Sequence, residues 1–169
     1  RTGELLALPA GAGPLFLTGG LGPESAPWQA FLEAAEEQKT PLLVIATGYA
    51  NARPAQRAAE KLAKVLGVPV EIVVAGEGEA PLAIDQAYRG IVVLGKDQSR
   101  LQPAGLAAVK DAWLAGTPLL LDGAAAAMAG PVFSAHGETA EGTDAAEMAA
   151  QRSLLLGRTE LAEGLGLLP

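Results

Sequence analysis

Five short apolar runs punctuate the chain: PLFLT (14–18), PLLVIAT (41–47), VEIVVA (70–75), GIVVLG (90–95) and PLLLD (118–122). They are nearly continuous rather than alternating in apolar character, the pattern of strands covered on both faces in a parallel sheet. Between them run segments with apolar residues three and four positions apart: APWQAFLEAAEEQ (26–38), RPAQRAAEKLAKVLG (53–67) and PAGLAAVKDAWLAG (103–116). Proline stands at or near the start of all three and glycine ends two of them, which is helix punctuation. PLAIDQAYR (81–89) reads as a further short helix before the fourth strand. Strand and helix alternating through short connections predict an α/β domain in three layers, α/β/α. Its sheet is mostly parallel, with right-handed crossovers. No internal repeat, linker or low-complexity tail divides residues 1–169, so a single domain is expected.

Composition narrows the function classes. Half of the 169 residues are apolar but only 4% are aromatic, so Leu, Val, Ile and Ala must fill the core. A net charge of −7, with no cluster of Lys or Arg, opposes phosphate-rich partners; neither a nucleic acid nor a membrane surface is expected. The absence of cysteine excludes disulfides and thiolate metal sites, and one histidine makes a metal centre an unpromising reading. No cofactor is expected. RTGELLALPAGAGPLFLTGG lacks the basic start and long apolar run of a signal peptide, and no apolar stretch reaches bilayer length. A cytoplasmic protein is the expectation, with a homo-oligomer left open.

In a parallel sheet, ligands gather beyond the carboxyl ends of the strands, which directs attention to four loops. GGLGPES (19–25) puts Gly19, Gly20 and Gly22 between a strand and a helix, where free backbone N–H groups can approach an anion. As a dinucleotide fingerprint it is poor, because Ser25 stands where a third glycine belongs and no acidic residue closes the next strand. TGYANARP follows the second strand. GKDQSRL (95–101) crowds Asp97, Gln98, Ser99 and Arg100 at a strand end; Gln98 offers an amide, while Asp97 or Ser99 equally well caps a turn. DGAAAAMAG (122–130) is a strand-to-helix turn of the kind that mounts a nucleophile, yet Ala124, Ala125, Ala126 and Ala127 cannot attack anything. What such a turn does offer is N–H groups for an oxyanion. His136, in FSAHGETAEGTD, reads as a surface-loop residue. Ser134 is two positions away and would point to the opposite side of an extended chain. Glu138, Glu141 and Asp144 are the nearby carboxylates.

Taken together, YRGIVVLGKDQSRLQPAGLAAVKDAWLAGTPLLLDGAAAAMAG resembles the central segment of the cyanophycinase and α-aspartyl dipeptidase family. These are serine peptidases with a flavodoxin-like, class I glutamine amidotransferase-like fold. That family has a Gly-Gly-Asp-Gln loop, often followed by Arg-Leu, then a Gly-Thr-Ser-Ala-Gly-Ala elbow bearing the nucleophile. Gly95-Lys96-Asp97-Gln98 matches the loop except at Lys96, and Gly123-Ala124-Ala125-Ala126-Ala127 matches the elbow with Ala125 where the serine belongs. PLFLTGG and ELAEGLGLLP look like further family landmarks. The family's histidine lies in a strand shortly after the segment resembling GLGLLP. The chain stops at Pro169, so the domain is expected to lack a C-terminal portion.

The resemblance implies a fold and crevice kept without the serine chemistry. Gly19, Gly20, Asp97, Gln98, Gly123, Ala124 and Ala125 would line that crevice, with a small acidic or peptide-like ligand in it and no residue in the nucleophile's role. The alternative is an active serine-type hydrolase, either with a native serine replaced at 125 or with Ser99 or Ser134 as nucleophile. A nucleotide-binding module using GGLGPES is a third reading.

Overall fold

The computed structural model describes residues 8–37, 39–76, 80–135 and 161–169. Five parallel strands form the main sheet: β1 (Leu15–Thr18), β2 (Leu42–Thr47), β3 (Val70–Ala75), β4 (Gly90–Gly95) and β5 (Leu119–Gly123), in the spatial order β1-β5-β4-β2-β3. Among the described residues three α-helices flank it, α1 (Ala26–Ala35), α2 (Ala52–Leu66) and α3 (Ala107–Leu114). The architecture is the three-layer α/β/α sandwich that the apolar runs predict.

The order of the strands decides which helix covers which face. The steps β1 to β2 and β2 to β3 run one way across the sheet, and their helices α1 and α2 share one face. There Trp28, Phe31, Ala35, Ala55 and Ala59 pack on Leu42, Val44, Ala46, Val92 and Leu120. The steps β3 to β4 and β4 to β5 run back, and their connections cover the other face, where Tyr88, Leu106, Val109 and Trp113 pack with Leu43, Ile45, Ile91, Val93, Leu119 and Leu121. Right-handed crossovers require this split. β2 is buried at all six positions because successive residues feed alternate cores, which is why its sequence shows no alternation.

Three expected elements differ. Residues 81–89 are not a helix. Leu82, Ile84 and Tyr88 turn inward while Ala83, Asp85 and Ala87 are exposed, the two-residue spacing of an extended strap. That strap returns the chain from the edge strand β3 to β4, and its ends are tied by Leu82 N–H to Gly105 O (2.9 Å) and Arg89 N–H to Pro41 O (3.1 Å). Second, the region 103–116 opens with a 3₁₀ turn, Pro103–Leu106, before α3. Third, the turn after β5 leads into six residues of 3₁₀ helix, Ala124–Ala129, rather than an α-helix.

Phe133 and Ser134 also leave the expected loop: they belong to a strand, β6 (Val132–Ser134), antiparallel to β7 (Leu161–Glu163). After β7 the chain docks on the 3₁₀ turn, with Leu165 N–H to Met128 O (2.7 Å) and Leu167 N–H to Ala129 O (2.8 Å), and buries both leucines. Among the described residues no helix is long and apolar enough to cross a membrane.

Candidate functional site

The carboxyl ends of β2, β4 and β5 approach one another backbone to backbone, and glycine makes each approach feasible. A side chain on Gly48 would meet Asp97 O at 2.8 Å, one on Gly95 would overlap the Ala125 backbone nitrogen, and one on Gly123 would meet Gly95 O at 2.6 Å. Gly123 also has φ +62° with ψ −134°, a sparsely populated region that costs other residues about 1–3 kcal/mol. The sharp bend of the β5 turn is therefore at Gly123, which has no side chain to present.

This geometry distributes the expected site residues unequally. Ala125 is fully buried in the core on the α3 face, in the same cluster as Val93, Leu121 and Met128, and its backbone nitrogen lies over Gly95. Ala124 is half-buried and packs against the same core. With only six residues of 3₁₀ helix behind it, the turn is too short to act as an anion-binding helix terminus. Asp97 caps its own turn, accepting from Ser99 N–H (2.9 Å) and Ser99 Oγ–H (2.7 Å), with Arg100 Nε 3.8 Å from its other oxygen. Gln98 is the first residue of that 3₁₀ turn and is half-buried. Ser99 is thus engaged in a local turn, and Ser134 has no hydrogen-bonded base among the described residues. His136, Glu138, Glu141 and Asp144 lie outside the described residues.

Gly19 and Gly20 sit at the exposed mouth of the crevice. Gly20 and Gly123 line a groove on the α1/α2 face, and with them comes a residue that the sequence presented only as part of a turn: Asp122. β1 and β5 pair in register so that their last aligned residues, Thr18 and Asp122, stand side by side. The Thr18 hydroxyl donates to Asp122 Oδ1, and Gly20 N–H donates to the same oxygen at 2.9 Å. Hydrogen bonds to a carboxylate contribute about 1.5–3 kcal/mol each, so Asp122 fixes the path of the glycine loop after β1. The signal was a single carboxylate ending an otherwise apolar strand.

Tyr49, from the loop after β2, lines the same groove, as do Trp28, Lys61, Leu62, Val65 and Leu94; the space is about 320 Å³. Burial, with a further contribution from the Asp122 charge, raises the Tyr49 phenol above its ordinary value of 10.0. The folded chain therefore keeps this proton longer than the unfolded one. The associated stability is complete below about pH 10 and is lost as pH rises through the folded value. At neutral pH Tyr49 is a neutral hydroxyl beside a carboxylate. Tyr49 also lines a second recess, of about 290 Å³, together with Asn51, Val74, Gly76 and Arg100. The crevice thus has a carboxylate at one end, Asp122, and at the other the Arg100 guanidinium, which is ion-paired with Asp97. Among the described residues no group of three or more acidic or histidine side chains could hold a metal ion.

No family model and no curated protein matches this chain.

Proposed function

We propose that this chain is a non-catalytic relative of the cyanophycinase and α-aspartyl dipeptidase peptidases, which it resembles in its loop and elbow residues. In this reading it binds a small acidic or peptide-like molecule in the crevice without hydrolysing it. The kinship rests on the loop and elbow residues alone; the observation that carries the absence of hydrolysis is the β5 turn, where the bend falls on Gly123 and Ala125 is enclosed in the core rather than presented to the crevice. Nucleophilic catalysis needs a hydroxyl or thiol within reach of a base and exposed to substrate. The turn has neither. Tyr49, shared between the two recesses, and the opposed charges of Asp122 and Arg100 give a small polar ligand places to orient.

Two expected results test this. The protein should not turn over aspartyl dipeptides or cyanophycin, and serine-directed phosphonates should leave it unlabelled when checked by intact-mass spectrometry. Labelling at any serine overturns the reading. Ala125→Ser should restore no hydrolysis. It should also lower stability by about 1–3 kcal/mol, because it buries a hydroxyl in an apolar cluster; denaturant titration measures this. An active, undestabilised Ala125→Ser protein would favour the alternative, a hydrolase whose native serine has been replaced.

A further inference from the structure

We infer that the Asp122 groove is a binding site for an organic ammonium ion with an apolar body. The inference rests on the reading of the crevice as a binding site and names the ligand chemistry at one end of it. Both hydrogen bonds to Asp122 fall on Oδ1, and no described residue bonds Oδ2. A carboxylate accepts at both oxygens, and one held half-buried among apolar walls is stabilised most by a cation.

The walls specify what surrounds that cation. Leu21, Leu62, Val65 and Leu94 make the groove apolar; half-buried Tyr49 borders it, and Trp28 lies buried beneath it. An aromatic ring beside a carboxylate adds its quadrupole to the charge in attracting an ammonium group. A space of about 320 Å³ is at the small end of ligand sites and suits one ring or a short alkyl chain. An anionic ligand would meet the Asp122 charge directly.

Among the described residues Lys61 is the one cation bordering the groove, and no ion pair joins it to Asp122. It is exposed on α2, where its flexible stem keeps the charged end in water. Its charge opposes a bound ammonium ion from the rim, so removing it should favour binding.

Phenethylammonium is the probe, compared by calorimetry at about pH 7 with its neutral analogue 2-phenylethanol and its anionic analogue 3-phenylpropanoate. The full chain should bind the ammonium saturably, the alcohol about tenfold more weakly and the acid no more tightly than the alcohol. Asp122→Asn keeps an acceptor for Thr18 and Gly20 while removing the charge, and should weaken ammonium binding about tenfold, equivalent to about 1.4 kcal/mol. Lys61→Gln, at an exposed position that folding does not depend on, should tighten it about two- to fivefold. Three results overturn the inference. One is equal affinity for ammonium and alcohol. Another is ammonium binding unchanged in Asp122→Asn. The last is binding seen only in Lys61→Gln, which would mean that Lys61 neutralises Asp122 in the native chain. If Asp122→Asn fails to fold, the ammonium/alcohol ratio and Lys61→Gln still decide. Peptide turnover or phosphonate labelling would defeat the non-catalytic reading and leave these affinities unaffected.

Discussion

Gly95→Ala lowers the unfolding free energy by about 3 kcal/mol and the melting temperature by about 6–12 °C. The added methyl overlaps the Ala125 backbone nitrogen and comes within 2.8 Å of the Ala124 carbonyl carbon and the Ala125 Cα. All three neighbours are backbone, so no side chain can rotate aside and the β5 turn itself must move. That movement is opposed at Gly123, whose positive φ and close contact with Gly95 O fix the same turn from its other side. The double variant Gly95→Ala, Gly123→Ala should therefore lose less than the sum of the singles, since one displacement relieves both clashes. Thermal and urea denaturation of the three variants measure this. A Gly95→Ala loss below about 1 kcal/mol would show that the turn shifts freely, and the tight floor of the crevice would not stand.

The sheet was legible because a strand covered on both faces has no solvent side to alternate toward. β2 with six buried positions and β4 with Ile91, Val92 and Val93 all buried are the clearest cases. The strap at 81–89 was not, because its inward positions, Leu82, Ile84 and Tyr88, are separated by two and four residues, and the four-residue step also fits a helix. The alanine run at 124–127 reads as helix by propensity. It yields a 3₁₀ turn because the positive φ of Gly123 redirects the chain and Gly130-Pro131 ends the segment after six residues. β6 and β7 have three residues each and pair across a long sequence separation, which no local pattern encodes.

The site divides in the same way. The four loops at the strand ends follow from strand order and direction, and Gly20 and Gly123 do meet at one groove. Asp122 gains its role only because β1 lies beside β5 and places Thr18 next to it. That adjacency joins the first strand of the chain to the fifth and exists only in the folded sheet. Asp97, which looks like a ligand contact in the sequence, accepts from Ser99 N–H and Ser99 Oγ–H in its own turn. Residue type and loop position identify where chemistry can happen, and hydrogen-bond partners decide which side chains remain able to perform it.

Trp113→Ala is expected to be the most damaging single truncation on the α3 face, at about 4 kcal/mol. The side chain is fully buried, and its indole N–H donates to Gly13 O at 2.7 Å while Gly13 N–H donates to Trp113 O at 2.8 Å. This exchange ties the end of α3 to the segment entering β1, so truncation leaves both a cavity and an unsatisfied carbonyl. Trp113→Phe separates the two costs: most of the packing stays, the indole donor goes, and the loss should be about 1–3 kcal/mol. Urea denaturation distinguishes them, and equal losses for Ala and Phe would assign the whole effect to the hydrogen bond. The Phe variant has a second use, since the chain contains two tryptophans and Trp28 then remains alone, beside the Asp122 groove. Its emission should shift when phenethylammonium binds. The affinity should match the unsubstituted chain, because Trp113 packs on the opposite face of the sheet from that groove.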